Sequence, residues 1–278
     1  MTITELKQTA VEVRKGIVTA THAAKSGHPG GSLSATEIFT YLYFEEMNID
    51  PKDPKKADRD RFVLSKGHTA PGYYSTLAHR GFFPVEDLKT LRHTGSYLQG
   101  HPDMKHIPGV DMSSGSLGQG ISAAVGMAIS AKLSNDDYRV YTLLGDGEIQ
   151  EGQVWEASML AGFRKLDNLV VIVDNNNLQI DGRIDEVNSP YPIDKKFEAF
   201  NFHVINIDGH DFDQIAAAFK EARETKGMPT AIIAKTIKGK GVSFMEDQAG
   251  WHGKAPNDEE YKIAMEDLEK AGEALCQK

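Results

Sequence analysis

The hydrophobic pattern of this 278-residue chain predicts a doubly wound α/β fold: a mainly parallel sheet with helices on both faces. Three observations predict it. Five short β-rich runs alternate with segments at helical spacing. The two middle runs, Val140–Leu144 and Leu169–Val173, are nearly all apolar, as strands buried on both faces of a parallel sheet should be. Three of the runs end in polar motifs, at the C-terminal strand ends where open α/β sheets bind ligands.

Taken in order, Thr4–Lys25 places Leu6, Val13 and Ile17 at helical spacing among charges and reads as an amphipathic helix that stops at Ser26-Gly27, before Pro29. A second helix is expected over 34–46. Phe62-Val63-Leu64 reads as a strand ahead of Lys66-Gly67-His68. Val140–Leu144 leads into Gly145-Asp146-Gly147, and Leu169–Val173 leads into Asp174-Asn175-Asn176-Asn177. His203–Ile207 and Thr230–Ala234 follow as strands. Helical patterns fall between them near 118–133, 152–166 and 211–225, and a short charged helix is expected near 258–275. We find no internal repeat and no low-complexity tract.

Composition narrows the function classes. The 31 Lys and Arg are outnumbered by 40 Asp and Glu, a net charge of −9, which argues against sequence-independent nucleic-acid binding. Cys276 is the sole cysteine; it excludes an intrachain disulfide and a cysteine-rich metal site, and reads as an incidental thiol. No signal-peptide core and no apolar run of membrane-spanning length is visible, so we expect a cytoplasmic protein without membrane contact.

Chemistry enters with the strand-end motifs. An Asp at one strand end and an Asn at the next can give two oxygen ligands to one hard cation, which Mg²⁺ completes with phosphates and water. Glycines around the Asp let backbone N–H groups approach a phosphate. Either motif alone is ordinary turn sequence; the two together, about thirty residues apart, are far more specific. Gly145-Asp146-Gly147 followed by Asn175-Asn176 resembles the metal–diphosphate motif of thiamine-diphosphate enzymes. The resemblance implies that Asp146, the Asn176 side chain and the Leu178 carbonyl bind Mg²⁺, with Ca²⁺ or Mn²⁺ able to substitute. Two Asn registers are open, and Asn176 is preferred because Leu178 then follows two residues later, as in the family.

Four histidines stand out, each beside Gly or Pro in a loop: His28 in Ser26-Gly27-His28-Pro29-Gly30-Gly31, His68 in Ser65-Lys66-Gly67-His68, His101 in Gly100-His101-Pro102 and His252 in Gly250-Trp251-His252-Gly253. Imidazoles so placed can donate to phosphate and hydroxyl oxygens and exchange protons near neutral pH. With Gly115–Gly120 and Thr236–Gly241, these segments closely resemble transketolases over roughly residues 10–256. That resemblance implies a thiamine-diphosphate-binding fold, with 1–278 as a single diphosphate-binding domain. It implies that His68 and His252, with Gly145 and Gly147, lie at the cofactor diphosphate. Gly115 and Leu117 would pack near the thiazolium and aminopyrimidine, and His28 and His101 would reach the sugar's reacting hydroxyls. Ser116 stands where the family often has Pro. Glu151 suits a helix N-terminus electrostatically; by resemblance it also points into a dimer interface. The small residues from Gly120 to Ala128 suit close helix approach there. Lys238 and Lys240 read as a solvated charge cluster, the commoner outcome for lysines, with a Gly-flanked basic loop near the cofactor mouth as the alternative; both stay outside the catalytic set.

Full-length transketolases add a pyrimidine-binding domain with a catalytic glutamate. No second set of strand–helix repeats follows Gly253, so the resemblance implies a partner: a C-terminal subunit in an α₂β₂ assembly, jointly moving a two-carbon ketol unit between sugar phosphates. Competing readings are a subunit of another thiamine-diphosphate enzyme (deoxyxylulose-phosphate synthase-like or keto-acid dehydrogenase-like) and a non-catalytic cofactor-binding module. A nucleotide-binding α/β protein lacks support, because no Gly-x-Gly-x-x-Gly or Gly-Lys-Ser/Thr loop follows a strand.

Overall fold

The computed structural model describes residues 1–276. Helix α1, Ile3–Ala24, opens with a capping box: Thr2 Oγ1 accepts from Glu5 N, and the Glu5 carboxylate accepts from Thr2 N. It closes at Lys25, whose backbone is left-handed. The expected helix over 34–46 is corrected. Helix begins earlier, as α2, Pro29–Ser34, breaks at Ala35, resumes as α3, Thr36–Tyr41, and ends in a π-helical turn, Leu42–Glu46. Pro29 sits in the first turn, where its missing N–H costs nothing, so the Pro-Gly-Gly that looks like a loop starts a helix instead.

Strand β1, Arg61–Leu64, is followed by α4, Ala70–Arg80, a helix hidden from the sequence by its Ala-Pro-Gly start. Then come α5, Gly120–Ser134; β2, Val140–Gly145; α6, Gly152–Phe163; and β3, Leu169–Asn175. A small hairpin, β4 (Leu178–Gln179) with β5 (Gly182–Arg183), leads through α7, Ile184–Val187, and α8, Ile193–Ala199, to β6, His203–Asp208. The chain ends with α9, Phe212–Glu224, β7, Thr230–Lys235, and α10, Asp258–Cys276.

The five main strands form one parallel sheet in the order β1-β2-β3-β7-β6. The step from β6 back to β7 reverses direction, and right-handed crossovers then put α9 on the face opposite α6. One face packs Tyr141, Leu143, Val170, Ile172 and Ile232 against α3, α4 and α9 through Phe39, Tyr73 and Phe219. The other packs Val140, Leu144, Val171, Val173 and Ile233 against α5, α6 and α8 through Ile121, Val154 and Phe197. Alternate residues of one strand thus enter opposite cores, which is why the β3 run is apolar throughout. A third cluster ties α10 and the segment around Met245 and Trp251 to α1 through Val11, Val13 and Ile17.

The register sets up the site. Gly145 pairs with Asp174, and Asp174 with Ala234, so the tips of β2, β3 and β7 end side by side. Away from the tips, α5 and α6 carry solvent-facing apolar residues: Leu133, Met159 and Phe163 are 79%, 60% and 76% exposed. No described helix is long and apolar enough to cross a membrane.

Two helical glycines give opposite expectations for one substitution. A Cβ on Gly126 in α5 meets nothing within 4 Å, whereas on Gly162 in α6 it would sit 1.9 Å from the Phe200 carbonyl oxygen. Gly126→Ala should raise the thermal midpoint, by about 1 kcal/mol of helix propensity. Gly162→Ala should lower it, because overpacking costs about 1–3 kcal/mol. Thermal denaturation of the two variants checks this; midpoints moving the same way would show that the packing at Gly162 is misread.

Candidate functional site at the strand tips

Residues from four strand tips converge. Lys66 and His68 follow β1, Asp146 follows β2, Asn176 and Leu178 follow β3, and Lys238 follows β7. His252 arrives from the short turn Ala249–Trp251. All of them line one cavity of about 210 Å³, whose wall also includes Leu117, Gly145, Gly147 and Glu151. Another cavity, of about 870 Å³, lies between α1 and α10 and contains none of these residues, so size alone does not choose the site.

Asp146 is buried, and its carboxylate accepts from Gly147 N at 2.9 Å and Asn177 N at 2.5 Å. Burial, and then the Asp174 charge, push its carboxyl up to about 7. Each oxygen keeps a free lone pair beyond these bonds. The three asparagines separate by role. Asn175 Oδ1 accepts from Tyr191 Oη at 2.7 Å. Asn177 takes the left-handed conformation that turns the chain and aims its N–H at Asp146. Asn176 is the one buried in the cavity wall, its Nδ2 donating to Asp174 Oδ2 at 3.1 Å and its Oδ1 accepting from Leu178 N at 3.1 Å.

Lysine chemistry is where sequence reasoning missed most. Lys238, which reads as a surface charge in the sequence, is 2% exposed and lines the cavity. Its Nζ donates to the Leu178 carbonyl at 3.0 Å and lies 3.1 Å from His252 Nδ1. Burial pulls its ammonium down to about 8, against the raising pull of Asp146 and Asp174. Lys66 is equally buried, paired with Asp174 and donating to the Gly31 carbonyl at 3.1 Å. Glu148 was also missed. Its buried carboxylate accepts from Ser65 Oγ, from Gly118 N at 2.9 Å and from Gly145 N at 3.0 Å, fastening the β1 and β2 tips to the loop before α5. The Gly-Asp-Gly-Glu spacing is a signal for Glu148, and the Gly-flanked basic loop is one for Lys238; nothing local marks Lys66.

The histidines form a cluster. The rings of His28, His68 and His252 lie 5.0–5.5 Å apart, centroid to centroid. Burial, and then neighbouring cations, hold His28 down at about 4 and His252 at about 3, and depress His68 in the same way. His28 Nδ1 is buried with no hydrogen-bond partner among the described residues. His101 stands apart in another cavity of about 500 Å³ with Gly115, and a Cβ on Gly115 would lie 3.3–3.4 Å from its ring. Glu151 is the exposed N-cap residue of α6, without a side-chain cap bond, and Leu117 is 40% exposed. Lys240 lies outside the cavity, beside Glu246 at 3.2 Å, and Cys276 is an exposed free thiol.

Asp146, Asn176 and Leu178, which line the cavity, offer one carboxylate, one amide oxygen that accepts from Leu178 N, and one carbonyl that accepts from Lys238 Nζ. That all-oxygen set with a single negative charge suits a hard cation whose remaining ligands come from a phosphate group. No cluster of three or more His, Cys, Asp or Glu able to hold a metal occurs among the described residues, so an all-protein cage is not the arrangement offered. The surrounding imidazoles, the ammonium and the orphaned His28 nitrogen favour an anionic ligand with hydroxyl groups.

The family described as transketolase, thiamine diphosphate binding domain, matches residues 6–271. A 6-deoxy-6-sulfo-D-fructose transketolase subunit of a Clostridium species is 48% identical over 88% of the chain and 90% of its own length. An apulose-4-phosphate transketolase subunit of Phocaeicola vulgatus is 41% identical over 99% of the chain and 98% of its own length. Mouse transketolase is 47% identical, but the chain spans only 40% of it. The crystal structure of Campylobacter jejuni transketolase superimposes with a TM-score of 0.91 at 34% identity, covering 99% of this chain and 46% of that one.

The imidazole cluster predicts acid sensitivity. His28 and His252 have folded values below the ordinary 6.5, so the unfolded chain binds more protons between 6.5 and about 3–4. Their contribution to stability is complete above pH 6.5 and is lost as pH falls through that window. Thermal midpoints from pH 7 to 4.5 should fall more steeply for the wild type than for His252→Asn. The gap should reach several degrees at pH 4.5, since 1 kcal/mol moves the midpoint by roughly 2–4 °C at this size. Parallel curves would contradict it.

Proposed function

The chain belongs to the transketolase thiamine-diphosphate-binding family, and from that premise we propose that it is the N-terminal subunit of a two-chain transketolase. The reaction is reversible transfer of a two-carbon ketol unit from a ketose to an aldose, each bearing a terminal anionic group. One observation carries the reading: Asp146 and Asn176 stand at the tips of neighbouring parallel strands and face a cavity shared with His68, His252 and Lys238. Two subunit-sized relatives bear the names of sugars ending in sulfonate or phosphate, which supports the substrate class.

Asp146, Asn176 and the Leu178 carbonyl hold Mg²⁺, and His68, His252 and Lys238, with the backbone at Gly145 and Gly147, hold the diphosphate. Thiamine diphosphate, when bound, supplies the carbanion centre and electron sink. The chain's own residues orient, shield and move protons. Gly115 and Leu117 pack against the thiazolium and aminopyrimidine. His28, kept uncharged by burial, can accept a proton from a sugar hydroxyl at neutral pH. His101, on the opposite loop, serves the other hydroxyl. Glu151, exposed at the start of α6, faces the interface with other chains. A C-terminal subunit carrying the pyrimidine-binding domain closes the site, in an α₂β₂ assembly, with 1–278 as a single diphosphate-binding domain.

The test is reconstitution. The isolated chain should show no ketol transfer, and adding the C-terminal subunit with thiamine diphosphate and Mg²⁺ should give turnover of a ketose phosphate but not of pyruvate. Full activity of the isolated chain, or a preference for pyruvate, overturns the reading. Asp146→Ala should abolish cofactor binding by calorimetry, whereas His101→Ala should leave it intact and lower kcat by about 10²–10⁴, the usual worth of acid–base assistance.

A further inference from the structure

Arg92 belongs to none of the motifs above, yet it sits between two of them. Its backbone is left-handed, with φ of 60°, a conformation that costs a non-glycine residue roughly 1–2 kcal/mol. The turn is closed by Arg92 N donating to the Leu98 carbonyl at 2.9 Å. The turn sends the half-buried side chain inward. There one guanidinium nitrogen, Nη1, donates to Ser26 Oγ at 2.8 Å, and Nη2 lies 3.4 Å from the Gly100 carbonyl oxygen. The guanidinium lies so close to Gly100 that a Cβ there would stand 2.9–3.2 Å from its Nε, Cζ and Nη2. Ser26 is two residues before His28, and Gly100 immediately precedes His101. One side chain therefore bridges both loops. Its Nε is buried without an acceptor, and Arg92 forms no ion pair among the described residues. A half-buried guanidinium with a buried, unpartnered Nε and no counter-charge needs a reason.

We propose that Arg92 is a positioning residue of this site, clamping the loop of His28 to the loop of His101 and setting an uncompensated positive charge beside both rings. This rests on the assignment of those two histidines to the sugar hydroxyls. The charge has a direct consequence. A cation close to an imidazole disfavours a second one, so the ring stays in its proton-accepting form. Arg92 adds to burial in depressing His28 to about 4, and it acts in the same direction on His101, whose exposure weakens the effect by solvent screening.

Other groups facing the rings do not offset it. Lys238 and the His68 and His252 rings approach His28, all basic. The carboxylate on the loop of His101, Asp103, is occupied by His106 Nδ1 at 2.6 Å and Lys105 N at 2.9 Å. A planar fork holds two loops in one fixed geometry, which a lysine's rotating ammonium does not.

The test uses the full chain with histidine ring carbons labelled, titrated by NMR as wild type, Arg92→Gln and Arg92→Lys. In Arg92→Gln the His28 midpoint should move from about 4 toward 6.5 and the His101 midpoint should also rise. Arg92→Lys should keep both midpoints near wild type. In the assembled two-chain enzyme both variants should lose roughly tenfold or more in kcat, keep cofactor affinity within about twofold, and only Arg92→Gln should shift the acid limb of the pH–rate profile upward. Unmoved His28 and His101 midpoints in a folded Arg92→Gln sink the proposal. So does a loss of activity that tracks a lowered thermal midpoint in both variants with the pH profile unchanged. Shifted midpoints in a wild-type-like assembly that transfers no ketol unit would instead reject the transketolase reading and keep the charge-setting clamp.

Discussion

The site depends on one buried carboxylate. Asp174, at the tip of β3, has no exposed surface and is met by four donors: Lys66 Nζ from the β1 tip, Thr236 Oγ1 from the β7 tip, Ser34 Oγ from α2 at 2.6 Å and Asn176 Nδ2 from its own loop at 3.1 Å. Burial alone would raise its carboxyl, but the Lys66 charge and the hydroxyl donors outweigh that and hold it below the usual carboxylate range. Removing one partner of such a pair leaves an uncompensated charge inside the protein, typically at about 3–5 kcal/mol. The geometry of three strand tips, the rotamer of Asn176 and the position of Lys66 are thus settled by one group. Mg²⁺ in the proposed site would need that rigidity, because it demands near-ideal ligand geometry.

Around this hub the cavity wall mixes charges. Two buried lysines, Lys66 and Lys238, stand among Asp146, Glu148 and Glu151, while burial keeps the His68 and His252 rings uncharged. Lys66 is paired with Asp174, so Lys238 is the ammonium that an incoming anion would meet. Such an anion would be held by directed N–H donors more than by a net positive field.

Much of this was readable from sequence, for a specific reason. Strands buried on both faces, such as Leu169–Asn175, leave an unbroken apolar signature, and the loops at their ends are marked by residues that helices avoid. The failures share a cause. Pro29-Gly30-Gly31 and Ala70-Pro71-Gly72 look like punctuation, but both are buried helix starts in which proline fits the first turn and glycine allows close packing. Lys66 and Lys238 look solvated because their counter-charges, Asp174 and Asp146, lie on other strands and become neighbours only when the sheet forms. Arg92 escaped notice for the same reason: its partners are loops that only the fold brings together, and its left-handed backbone leaves no mark on composition. Local pattern reveals where a chain turns, not which distant charge it turns toward.

The uncovered apolar residues of α5 and α6 have a consequence at the level of biosynthesis. Leu133, Met159 and Phe163 project into water from these two helices. A surface of that kind is a liability for as long as it stays bare. In the proposed two-chain assembly, a copy made ahead of the chain that covers these helices would wait in a sticky form. Balanced, simultaneous translation would shorten that wait, so selection on such a helix pair reaches past folding into gene dosage and the order of genes on a transcript.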